Sequence, residues 1–180
     1  MKPDVDFEEP HGNGAGGFPI LFVHGLLHGS WCWPAPWREF FNRQGLTAHC
    51  LSLPGHDGAA TGRRTLRWTS LADYADAVVQ EALRFGRCPI LVGHSLGAML
   101  IQMRLHELNP PAAVLLAPTH PAAFRWATWR RCLRQPGLFL RAHSQGKPSL
   151  VIRSLQSCRD WFFSTKTPEE VVAGCFARLN

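Results

Sequence analysis

Four short runs of the chain carry apolar residues with little or no interruption. Pro19 to Val23 (PILFV), Pro89 to Val92 (PILV) and Ala113 to Leu116 (AVLL) are continuous, while Leu46 to Leu53 (LTAHCLSL) alternates more. A strand buried on both faces reads as a continuous apolar run, so the set predicts a parallel sheet covered by helices. Between the runs lie segments with helical spacing: Trp37 to Arg43, Ser70 to Phe85 and Leu96 to Leu108. The middle one is the clearest, with Leu71, Tyr74, Ala75, Val78, Val79, Ala82 and Leu83 on one face and Asp73, Asp76, Gln80 and Arg84 elsewhere. Ser70 stands where an N-cap would. Alternating strands and helices, joined by right-handed crossovers, give an α/β, doubly wound architecture.

The two ends of the chain have a different texture. Residues 1–17 are polar, end in GNGAGG and predict a flexible arm with a short edge strand, followed by an α/β core over 18–119. Residues 120–180 hold no strand-like run other than Leu150 to Ile152, and their helical stretches are separated by PGL, SQGKPS and STKTPEE. Thr167, Pro168 and Glu170 predict a helix start with a capping box and proline at the first helical position. The expectation for 120–180 is a helical lid over the C-terminal ends of the strands, where open α/β sheets bind ligands. Phe124, Trp126, Trp129, Leu133 and Phe139 would supply its pocket walls.

Composition narrows the picture. A chain of 180 residues is one domain in length and buries roughly two-thirds of its unfolded surface. With 46% hydrophobic and 18% charged residues it is no disordered chain. No run approaches the ~18 apolar residues of a membrane span, and the acidic N-terminus lacks the apolar stretch of a secretory signal, which makes cytoplasmic residence the expectation. The six cysteines are scattered, without C-x-x-C pairs or zinc-site spacing, so they read as reduced thiols; neither metal nor cofactor is expected. The formal charge is +6, largely arginine clustered between Arg125 and Arg141. Without base-reading motifs this is a solvated basic face, and no nucleic-acid partner is expected.

The chemistry centres on Gly93-His94-Ser95-Leu96-Gly97, which follows the PILV run and precedes the helix Leu96 to Leu108. G-x-S-x-G alone is a weak match, but a sharp strand-to-helix turn that strains a serine backbone makes it specific. A second element, His24-Gly25-Leu26, follows the PILFV run and continues to Trp33 as HG-x-x-x-G-x-W-x-W. A third is Leu53-Pro54-Gly55-His56-Asp57-Gly58. With these three elements in this order, most of residues 18–120 resembles the α/β-hydrolase family, specifically its serine esterase and lipase-like branch. The second element resembles the oxyanion loop of the family's esterases and hydroxynitrile lyases. The resemblance implies Ser95 as nucleophile, the backbone amides of Leu26 and Leu96 as oxyanion donors, and a small-molecule ester or acyl substrate, lysophospholipids being one such class. His24 is expected to brace the oxyanion loop and His94, beside the nucleophile, to be structural, since neighbours across a tight turn point apart. Trp126 and Trp129 are candidate pocket residues.

The family's order of nucleophile, acid and histidine finds no match after Ser95. No histidine follows Asp160, and Glu107 lies twelve residues along a helix from Ser95, about 18 Å away. The expectation is that the chain stops before the strands bearing the acid and the histidine, and that by itself it is inactive. Epoxide and haloalkane hydrolysis in this fold use an aspartate nucleophile, which Ser95 argues against. A hydroxynitrile-lyase-like enzyme, a non-catalytic ligand-binding or interaction module, and peripheral membrane association through Phe124 to Arg131 remain as alternatives.

Overall fold

The computed structural model describes residues 5–6, 17–56, 69–145 and 148–179. Among these a five-stranded sheet runs in the order β1 (Val5–Asp6), β3 (Ala48–Leu51), β2 (Ile20–Val23), β4 (Ile90–His94), β5 (Ala113–Leu116). β2 to β5 are parallel, and β1 joins the edge antiparallel, Val5 opposite Leu51. The predicted short edge strand is thus present; the GNGAGG stretch lies outside the described residues except for Gly17.

The inner apolar runs become strands because both their faces find cover, whereas β5 at the sheet edge leaves Ala113 and Val114 exposed. Leu21 and Val23 point to one side, where α2 (Leu71–Ala82) and α3 (Leu96–Leu108) pack with Tyr74, Ala75, Val78, Met99, Leu100 and Ile101. Ile20 and Phe22 point to the other, against Trp33 and Phe41 of α1 (Ala35–Arg43) and the segment before it. Each such fully buried large side chain contributes about 1.5–3 kcal/mol. The alternating LTAHCLSL run pairs only over Ala48–Leu51, all four residues buried.

Helix ends follow local chemistry. Ser70 caps α2 in a reciprocal box with Asp73, and those hydrogen bonds hold the Asp73 carboxyl below its ordinary range. α3 ends on Asn109 in the left-handed region at φ 42°, which asparagine tolerates better than most residues.

Beyond β5 the described chain is helical: α4 (Pro121–Arg134), α5 (Pro136–Ser144), α6 (Leu155–Phe162) and α7 (Glu169–Phe176). Three expectations change here. PGL does not separate helices but opens α5, with Pro136 in the first position, where its missing N–H is no loss. Leu150 to Ile152 is no strand; Pro148–Val151 forms a 3-10 turn. Pro168 is the N-cap of α7 rather than its first helical residue, and no side chain caps that end. Thr167 instead hydrogen-bonds through its hydroxyl to Ser164 at 3.3 Å.

Candidate active site

β4 ends at His94 and α3 begins at Leu96, so Ser95 alone makes the turn between them. Its backbone sits at φ 52°, ψ −111°, a region that costs a non-glycine residue on the order of 1–3 kcal/mol. The surroundings enforce it. The Ser95 amide donates to the Leu116 carbonyl at 2.9 Å, extending the β4–β5 ladder, while the Ser95 carbonyl accepts from Met99 at 3.1 Å as the first turn of α3. Glycines at 93 and 97 permit this closeness. A Cβ on Gly93 would lie 2.6 Å from the Ala98 nitrogen, and one on Gly97 would lie 2.3 Å from the Val23 carbonyl oxygen.

The loop after β2 reaches the same place. A Cβ on Gly25 would stand 3.0 Å from the His94 ring and 3.2 Å from the Ser95 Cβ, so Gly25 lies directly against the serine. His24, fully buried, locks the loop. Its Nε2 accepts from the Leu53 amide at 2.9 Å, which leaves the proton on Nδ1 to be donated to the Gly25 carbonyl at 2.8 Å. His24 is therefore the neutral Nδ1–H tautomer. Its ring also lies 4.9 Å from that of His56, in the third motif.

Neither the Leu26 nor the Leu96 amide donates to a protein acceptor among the described residues. For Leu96 this follows from its place at the head of a helix, whose first N–H groups have no partner within it. Leu26 lies in a turn closed by the His28 amide on the Gly25 carbonyl at 3.3 Å. The next residue, Leu27, holds φ 67°, a conformation that turns normally assign to glycine.

Leu27 is the feature that sequence reasoning missed. Its side chain is buried among Ile152, Cys158, Val172 and Cys175, so packing against α6 and α7 offsets the strain of its backbone. His28 adds a polar link: Nδ1 donates to the Leu26 carbonyl at 2.9 Å, leaving Nε2 to accept from the Cys175 thiol at 3.6 Å. Burial lowers the His28 pKa, the Leu26 hydrogen bond opposing and His94 reinforcing that shift. Burial, followed by the neighbouring Cys158 thiol, pushes Cys175 up to about 12, which keeps it protonated as a donor. An apolar residue in a glycine-rich loop, GLLHG, was the available signal.

The Ser95 hydroxyl has one side-chain partner among the described residues, the Thr119 hydroxyl at 3.1 Å. Thr119 was not singled out from the sequence; its place just beyond the AVLL strand was the clue. His94 is half-buried and burial lowers its pKa. His120, a base candidate by position, accepts the Ala122 amide at 3.2 Å at the start of α4. Trp126 and Trp129 stand side by side on α4 with ring centroids 5.2 Å apart, 58% and 54% exposed. The described residues contain no cluster of three metal-ligating side chains and no helix long and apolar enough to cross a membrane.

A strand-to-helix turn presenting a strained serine beside a glycine-histidine loop defines a class of hydrolase fold. The model of the α/β hydrolase family matches residues 20–178, and the chain belongs to that family. It is 36% identical over 122 residues to the probable esterase PIR7A of Oryza sativa, a match covering 60% of this chain and 41% of the relative. The chain thus spans less than half the length of the curated relatives it matches. Among solved structures it is similar to a carboxylesterase of the thaumarchaeon Nitrososphaera gargenis, with TM-score 0.66 and 16% identity over 99% of this chain and 63% of that one. It is also similar to a variant of tomato methylketone synthase I in complex with β-ketoheptanoate, with TM-score 0.63 and 19% identity over 91% of this chain and 67% of that one. At such identities these two likenesses establish the fold.

Proposed function

We propose that this chain carries the nucleophile and oxyanion site of a serine hydrolase acting on carboxylic esters or related acyl substrates. Ser95 Oγ attacks the acyl carbonyl carbon as its proton passes to a base, and the resulting oxyanion is held by the Leu26 and Leu96 amides. Collapse expels the alcohol and leaves an acyl-serine, which water then hydrolyses. The observation that carries the reading is the strained Ser95 turn, with the Leu26 and Leu96 amides meeting no protein acceptor among the described residues. Relatives named as esterases support it. The division into an arm (1–17), a core (18–119) and a helical lid (120–180) belongs to the same proposal.

The base is the open element. Thr119 shares a hydrogen bond with the Ser95 hydroxyl, and a threonine cannot take its proton near neutral pH. His24, His28 and His120 are each committed to other hydrogen bonds. The chain alone should therefore hydrolyse a short nitrophenyl ester slowly, at most within the roughly 10³–10⁴-fold over water that an oxyanion hole and binding give without a triad. Because the oxyanion hole and binding act without the serine, Ser95→Ala should keep most of that residual rate but lose the covalent adduct that a fluorophosphonate forms on Ser95. Absence of a fluorophosphonate adduct at Ser95 would refute it as nucleophile, and turnover well above that range that is lost in Ser95→Ala would refute the missing base.

The Thr119 contact also favours a second reading, a module of this fold that binds an acyl ligand without turning it over. An ester bound tightly and recovered intact after prolonged incubation would select it.

A further inference from the structure

The helices after β5 divide the charge of the molecule unevenly. Eight of the nineteen cationic residues and none of the thirteen acidic ones fall between Leu108 and Arg159, giving that segment +8 against −2 for the rest. On the helices that cover the sheet, arginines meet acids: Arg43 with Glu39, Arg84 with Glu81 and Arg104 with Asp76. On α4, Arg125, Arg130 and Arg134 are exposed and none has an acidic partner among the described residues.

The same helix exposes an apolar stripe. Ala122, Trp126, Trp129 and Leu133 recur at the spacing that places residues on one helix face, and Leu133 is 61% exposed beside the two half-exposed indoles. Arg125 borders this stripe on one side and Arg130 on the other. An apolar stripe of about 16 Å rimmed by cations, with indoles along it, has the make-up of a helix that lies in a bilayer interface.

We propose that α4 is a docking surface for an anionic phospholipid bilayer, the indoles and Leu133 entering the headgroup boundary while the arginines meet lipid phosphates. The uncompensated charge selects an anionic surface over a neutral one. A nucleic acid would satisfy the charge but not the contiguous aliphatic and indole stripe, and a protein partner would need acidic groups arranged to match.

Flotation with vesicles of phosphatidylcholine alone, and of phosphatidylcholine mixed with phosphatidylglycerol, tests this on the full chain. The protein should float with the mixed vesicles only, and raising salt from about 0.05 to about 0.5 M should weaken binding as screening tightens. The double variant Trp126→Ala/Trp129→Ala and the triple variant Arg125→Gln/Arg130→Gln/Arg134→Gln should each lower partitioning by roughly tenfold or more, their circular dichroism unchanged because these side chains are exposed. Ser95→Ala should float like the parent, which separates this site from the proposed catalytic one. The proposal is overturned if the parent does not float with mixed vesicles, if neutral vesicles bind as well, or if both multiple variants still float. It is equally overturned if the variants lose only self-association or nucleic-acid binding while flotation is unaltered.

Discussion

The two helix pairs that follow β5 share a helical texture yet are held very differently. α6 and α7 pack Ile152, Cys158, Val172 and Cys175 around Leu27 and tie themselves to His28, so they are continuous with the loop that lies against Ser95. α4 and α5 leave Trp126, Trp129, Leu133 and Leu140 exposed. The difference teaches that helical texture in a sequence does not by itself locate a helix relative to a site. What separates the pairs is the loop after β2, whose Leu27 is buried at the centre of the α6–α7 cluster and whose His28 accepts a hydrogen bond from Cys175.

This contrast predicts a graded response to substitution. Gly97→Ala should have the largest effect, because its Cβ would meet the Val23 carbonyl at 2.3 Å and both partners are backbone. Loss of soluble folded protein, or destabilisation beyond about 4 kcal/mol in urea unfolding, is expected. Leu27→Ala should cost about 2–5 kcal/mol, since a buried anchor is lost while alanine keeps the strain of positive φ. If Leu27→Ala proved nearly neutral, α6 and α7 would not be anchored by this residue.

Acid should loosen the anchored pair next. His28, His49 and His94 all have pKa values lowered from 6.5 by burial, so the unfolded chain binds more protons than the folded one below that value. Stability is complete above about pH 6.5 and falls as pH drops from there through the lowered folded values. Denaturant midpoints measured between about pH 7.5 and about pH 5 should show this slope, and His28→Gln should flatten it. A slope unchanged in that variant would remove His28 from the explanation. The smallest effect belongs to α4: Trp129→Ser should alter stability by no more than about 0.5 kcal/mol, as an exposed residue should.

Much of the fold was legible in the sequence because strand burial leaves a direct mark. PILFV and PILV are continuous where both faces are covered, AVLL is continuous although Ala113 and Val114 stay exposed at the sheet edge, and Leu96 to Leu108 agrees with α3 to the residue. The Ser70 cap was legible because its partner lies three residues on. The Thr167 start was misread because proline can occupy the cap itself, and local pattern does not separate these two positions. The candidate site was legible where backbone geometry demands glycine. Leu27 and Thr119 were not, since each acquires its importance from contacts with distant residues, Cys158 and Val172 in one case and Ser95 in the other. The indoles of α4 read as pocket walls for a similar reason: an apolar face announces burial, and only the fold shows that Trp126 and Trp129 are left exposed.

The central claim is that the Ser95 turn presents a nucleophile, and covalent trapping reads it most directly. The chain is incubated with a fluorophosphonate, digested, and the modified residue identified by tandem mass spectrometry across a pH series. Slow phosphonylation is expected at Ser95 and at no other serine, with a rate rising about tenfold per pH unit because no internal base assists. Modification spread over exposed serines, or none at Ser95 at any pH, would contradict the assignment of Ser95 as nucleophile.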